Sequence, residues 1–119
     1  MKRITPNLYN GLGSAVYALV KIDGQLHLEE SIKARMVLVE EPNGELAMQS
    51  FQLREHHQTP VEEAYNLALS CFVSNHKEFN PKIKKYFTKI LKKVISSDNR
   101  ISEKETEFLQ RFQQDLHRL

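Results

Sequence analysis

The chain holds a single cysteine, Cys71, so no internal disulfide can staple it. Glycine and proline are scarce, four of each in 119 residues, and with 40% hydrophobic against 27% charged residues this is the balance of a globular domain, not a disordered one. Apolar runs last only a few residues, far short of the roughly 20 that cross a bilayer. The opening MKRITPNLYNGLG lacks the apolar stretch of an export signal, and with one unpaired cysteine the expected compartment is the cytoplasm. Charge of one sign is also lacking: a formal net charge of +2 is too small to draw the whole chain onto nucleic acid. Any basic function must be local. No glycine-rich phosphate loop is present, and the alternation of a half-buried strand is hard to find.

What is present is helical periodicity. From Pro81 to about Ser97, Ile83, Tyr86, Phe87, Ile90, Leu91, Val94 and Ile95 recur at spacings of three and four, one apolar face of a helix. Asn80-Pro81 sets its start, because an Asn side chain caps an orphan amide and Pro at the first helical position gives up no hydrogen bond. Thr59-Pro60-Val61-Glu62 has the spacing of a capping box and opens a helix with the stripe Val61, Ala64, Tyr65, Ala68, Leu69, Phe72 and Val73. Thr5-Pro6 opens the first helix in the same way, with Leu8, Leu12, Ala15, Val16, Leu19 and Val20 as its buried face. Gly11 and Gly13 cost that helix about 1 kcal/mol each in propensity, which predicts a neighbour in close approach. A last helix starts at Ser102, boxed by Glu105, and carries Phe108, Leu109, Phe112 and Leu116. Between Leu28 and Glu55 the reading is two helices around Pro42-Asn43-Gly44. The rival is a β-hairpin, 36–41 paired with 45–53, on the Asn-Gly turn. The expected architecture is all-α, one domain over residues 1–119.

The chain also repeats itself. Val20-Lys-Ile-Asp23-Gly-Gln-Leu26-His-Leu-Glu-Glu30 is echoed by Ile95-Ser-Ser-Asp98-Asn-Arg-Ile101-Ser-Glu-Lys-Glu105, the second Asp standing 75 residues after the first. Each copy reads helix, tight turn, helix. Gly24 and Asn99 are residues that readily take the left-handed conformation ending a helix. Leu26 and Ile101 are then expected to plug the core at each corner, and Glu30 and Glu105 to face helix N-termini, where an anion is favoured.

At this repeat the sequence resembles the TerB-like family, the tellurite-resistance-associated helical domains that also occur toward the N-terminal side of the DjlA co-chaperones. The carriers are Ala18 to Glu30, with Asp23-Gly24-Gln-Leu26 at its turn, and Ser97-Asp98-Asn99-Arg-Ile101 to Glu105. The stretches Ala47 to Phe51 and Thr59 to Glu63 are similar as well, so the likeness spans nearly the whole chain. It implies a compact bundle of about six or seven helices in two pseudo-repeated helix-turn-helix halves. It also implies a non-catalytic, stress-associated protein-interaction or scaffold module, and that the acidic turns lie close enough to bind a divalent cation. The chain departs from the family in its second turn, where Asn99 replaces the usual Gly and Arg100 and Lys104 set positive charge beside the acids.

If a metal binds, the ligands expected are Asp23, Glu30, Asp98 and Glu105, because Ca²⁺ and Mg²⁺ take oxygen donors. The bland alternative is that these acids satisfy turn and helix-end amides. The loops lack the alternating acids of an EF-hand. A second candidate is the face formed by Lys82, Lys84, Lys85, Lys89, Lys92 and Lys93, with no acid between them. Such a patch suits an acidic protein or an anionic membrane surface, unless acids in the Glu29 to Glu45 segment neutralise it. No aromatic alternates with the lysines as single-strand stacking requires. Cys71 with His56, His57 or His76 would make a nucleophile and base, but Cys71 lies near its helix's apolar stripe and reads as a small packed hydrophobe. His56-His57 lacks the further ligands that zinc requires.

Overall fold

The computed structural model describes residues 4–24, 26–96 and 101–119, and it folds them into six helices with no strand among them. In chain order these are α1 (Pro6–Lys21), α2 (Leu28–Val39), α3 (Gly44–His56), α4 (Val61–Ser74), α5 (Pro81–Ser96) and α6 (Glu103–Arg118). The chain is an all-α bundle, and residues 36–53 form two helices and not a hairpin. Asn43 does take the left-handed conformation (φ 59°), but the amides of Glu41 and Gly44 bond back to Leu38 and Glu41, so the turn joins helix to helix.

α1 lies at the centre of the bundle. Its expected face is buried, and so are Tyr9, Gly11, Gly13, Ser14, Tyr17 and Ala18 on its other sides. It packs mainly against α4 and α3. A Cβ on Gly11 would stand 2.7 Å from a ring carbon of Phe72 and 2.9 Å from Cys71 Cβ, both on α4. One on Gly13 would run into the Ala47 carbonyl oxygen of α3 and stand 2.8 Å from Ser50 Cβ. The two glycines therefore let a helix approach on each side, and hydrogen bonds to main-chain carbonyls fix the separation. Ser14 Oγ donates to Ala64 O (2.7 Å), Ser50 Oγ to Asn10 O (2.7 Å) and Tyr17 OH to Thr59 O (2.8 Å). Such bonds satisfy polar groups that would otherwise be buried at a cost of about 1–3 kcal/mol each.

The second half of the core is aromatic. Phe72 stacks on Phe79 at 4.6 Å between ring centres and meets Phe87 at 5.9 Å and Phe112 at 6.2 Å, joining α4, the loop after it, α5 and α6. Phe79, outside every helix, is buried.

Helix starts separate into two kinds. Asn80 Oδ1 accepts from Ile83 N at 3.0 Å, and Ser102 with Glu105 forms the complete capping box, both as expected. Thr5 and Thr59 make no cap bond. The N-cap of α4 is Pro60, and Thr59 is turned inward, its amide closing α3 on Arg54 O while its carbonyl serves Tyr17. Val73, expected in the buried stripe of α4, is exposed, and Cys71 is buried in that helix instead.

Candidate functional site

The first corner forms as its sequence implies. Gly24 takes φ +107° and its amide bonds to Lys21 O at 2.9 Å. Leu26 packs against the core, and Glu29 and Glu30 occupy the first turn of α2. At the second corner Glu105 Oε1 accepts from Ser102 N (2.9 Å), and Ser102 Oγ accepts from Glu105 N (3.1 Å). The same hydroxyl donates to Asp23 Oδ1 at 3.2 Å. One side chain thus caps α6 and ties the two corners to each other.

Of the four acids expected around a cation, Asp23 and Glu105 are brought together through Ser102, and Asp98 lies outside the described residues, with Asn99 and Arg100. Among the described residues no group of three or more His, Cys, Asp or Glu side chains is placed to hold a metal ion. Ile101 does not plug the corner as Leu26 does. It is 58% exposed, because it precedes the cap and the core-facing stripe of α6 begins only at Phe108.

The lysine face of α5 divides in two. Lys93 Nζ lies 3.2 Å from Glu41 Oε2, and Glu41 Oε1 accepts from Tyr86 OH at 2.9 Å. Burial and that carboxylate push the Tyr86 phenol above its ordinary pKa. Lys84 Nζ donates to the main-chain oxygen of Leu119 at 2.5 Å and stands 5.8 Å from the centre of the Phe79 ring. These two lysines are structural. Lys82, Lys85, Lys89 and Lys92 are exposed and form no ion pair among the described residues. Their spacings of three, four and three set them on one narrow stripe about 15 Å long.

Cys71 is buried, and its sulfur accepts from Asn10 Nδ2 at 3.6 Å. Burial raises its thiol pKa, the opposite of what a thiolate nucleophile needs. His56 and His57 meet edge to face at 5.3 Å, and His76 Nδ1 lies 3.2 Å from Val73 O of its own helix. None of these contacts joins a histidine to the cysteine.

Sequence reasoning missed a polar cluster between α4 and α6. Tyr65 OH donates to Asp115 Oδ2 at 2.5 Å. Arg111 Nη1 bonds both Glu62 oxygens at 3.0 and 2.9 Å, and its guanidinium lies 4.1 Å from the centre of the Tyr65 ring. The spacing of Arg111 and Asp115 on one helix was the visible signal; the Tyr65 partner, 50 residues away, had none. The cluster clamps two helices. No family model matches the chain, and neither a curated protein nor a solved structure matches it.

Proposed function

We propose that this chain is a non-catalytic, TerB-like helical module that docks an acidic protein partner through the exposed lysine stripe of α5. The observation that carries the reading is the division of the lysines: the two at the margins are consumed by Glu41 and Leu119, while Lys82, Lys85, Lys89 and Lys92 face solvent in a row. Support for the kinship is the six-helix architecture and the contact of Asp23, in the first corner, with Ser102 at the start of α6. Those corners enter as joints of the fold and not as a Ca²⁺ or Mg²⁺ site, because Glu105 is spent on capping and Asp23 accepts from Ser102.

A protein surface suits the stripe better than an anionic membrane. A basic amphipathic helix holds a bilayer by burying its apolar face among the lipids. The apolar face of α5, Phe87, Ile90, Leu91, Val94 and Ile95, is already buried in the core. Four lysines alone would contribute only about 1 kcal/mol each at a charged lipid surface, screened by salt.

The test is binding of a fluorescent glutamate-rich peptide across a salt series. Affinity should fall steeply with salt, and Lys85→Gln/Lys89→Gln should weaken it about tenfold, roughly 1.4 kcal/mol. Lys77→Gln/Lys104→Gln, which removes the same charge elsewhere, should weaken it far less. Equal weakening by both pairs would reduce the stripe to a share of overall charge and refute the reading. Co-sedimentation with phosphatidylserine vesicles, lost in the Lys85/Lys89 variant, would replace the protein partner with a membrane.

A further inference from the structure

Between the first turns of α5 and the last turns of α6 lies an open hollow of about 410 Å³, lined by Lys84, Lys85, Thr88, Gln113, Leu116 and His117. A shallower one adjoins it, sharing Gln113 and His117 and adding Arg118. Among the described residues no acid lines either. α5 has none at all over residues 81–96. In the last two turns of α6 the one acid, Asp115, is turned to Tyr65 and Arg111 on the α4 side. Glu78, just ahead of α5, lines a different hollow with Tyr9 and Asn43.

Two of the lining groups are already engaged. Lys84 Nζ donates to the main-chain oxygen of Leu119, and Thr88 Oγ1 donates to Lys84 O at 2.9 Å. That leaves Lys85 on one helix and Gln113, His117 and Arg118 on the other. All four are exposed, and none makes a side-chain hydrogen bond or ion pair among the described residues.

We propose that this hollow receives a phosphorylated serine or threonine of the acidic partner. The inference rests on the docking reading of the α5 stripe and names a group that the partner carries. A phosphate monoester brings a charge of about −1.5 to −2 and three acceptor oxygens, more than a carboxylate can offer. The donors suit the larger group. Lys85 supplies an ammonium, and Arg118 a planar fork that bonds phosphate oxygens in pairs. The residues shared by the two hollows add the Gln113 amide and a ring N–H of His117.

A phosphate borne by the partner suits the site better than a free one. The hollow is open to solvent, so a free anion would keep much of its hydration. Lys89 and Lys92 stand about 6 and 10 Å along α5 from Lys85. An extended peptide, at about 3.3 Å per residue, would set acids two and three residues from the phosphate over them. Seating the phosphate then becomes an intramolecular step, which raises affinity beyond either contact alone. A bilayer is disfavoured because the apolar face of α5 is buried in the core.

The experiment uses the full chain and two fluorescent glutamate-rich peptides that differ only in a central serine or phosphoserine. Wild type should bind the phosphopeptide about tenfold more tightly. His117→Gln/Arg118→Gln should cut that preference to about twofold, with an unchanged melting curve and little change for the unphosphorylated peptide. Lys89→Gln/Lys92→Gln should weaken both peptides and keep the preference. Lys77→Gln, a charge lost elsewhere, should leave the preference as it is. Equal binding of the two peptides by wild type overturns the phosphate site and leaves the stripe standing, whereas binding of neither overturns both. A preference that survives His117→Gln/Arg118→Gln overturns the site. So does displacement of the phosphopeptide by micromolar inorganic phosphate, which marks a free-anion site. Capture by phosphatidic acid vesicles, lost in the same variant, marks a lipid site and overturns it too.

Discussion

Replacing Gly13 by Ala tests the central packing most directly. Elsewhere in a helix this change would stabilise by about 1 kcal/mol, since Ala has the better propensity. Here the new methyl runs into the carbonyl oxygen of Ala47 and stands 2.8 Å from Ser50 Cβ and 2.9 Å from Ala47 C. Ordinary contact begins near 3.4 Å, so α1 and α3 must part by at least 0.6 Å at Ser50 and by more at Ala47. Overpacking of this kind costs about 1–3 kcal/mol, here at the upper end because the obstacle is backbone that no rotamer change can clear. The same movement stretches the 2.7 Å bond from Ser50 to Asn10 O, a further loss of about 1 kcal/mol. Against the propensity gain, the net is a destabilisation of about 3 kcal/mol, or roughly 10 °C in melting temperature for a chain of this size. The methyl of Gly11→Ala would stand 2.7 Å from the Phe72 ring, 2.9 Å from Cys71 Cβ and 3.1 Å from Ala68 O, less severe than the backbone collision at Ala47, and should cost less. Urea or thermal unfolding of both variants checks this, and a Gly13→Ala protein as stable as wild type would refute the account of α1 as a helix held in direct contact with α3.

Ser102→Ala removes the cap of α6 and the link to Asp23 together, and should cost about 1–2 kcal/mol; unfolding that matches wild type would show the corner contact to be idle. Tyr65 and Tyr86 have pKa values raised by burial and then by their carboxylate partners, Asp115 and Glu41. A phenol whose folded pKa lies above its unfolded value of 10.0 contributes stability that is complete below pH 10 and is lost as pH rises beyond it. Melting temperature should therefore fall above pH 10, and Tyr65→Phe/Tyr86→Phe, though less stable at pH 8, should fall less steeply. Parallel pH profiles for the two proteins would count against the assignment.

The features legible in the sequence are those set within four residues of chain. Apolar spacing placed α1, α4, α5 and α6, while α2 and α3 were read with a hairpin as rival; Asn80-Pro81 and Ser102 with Glu105 marked two starts through bonds they do make, and Gly24 ended α1 because its φ of +107° suits glycine. The lysine stripe was visible because all its members lie on one helix. The same local logic failed at Thr59, whose capping role yields to closing α3 and accepting from Tyr17 on α1. It failed again at Ile101, which matches Leu26 in the repeat but reaches no core.

Tertiary structure alone decided that α1 is enclosed on all sides, since periodicity marks one apolar face and cannot count the helices that will surround it. It decided which lysines are consumed, because Glu41 and Leu119 are far from them in sequence. It decided that Ser102 reaches Asp23 across 79 residues. It also left Leu28, Ile32, Met36 and Val39 of α2 exposed. Local sequence fixes dihedral angles and ends; which faces meet depends on contacts between distant segments, and these exist only once the chain has closed on itself.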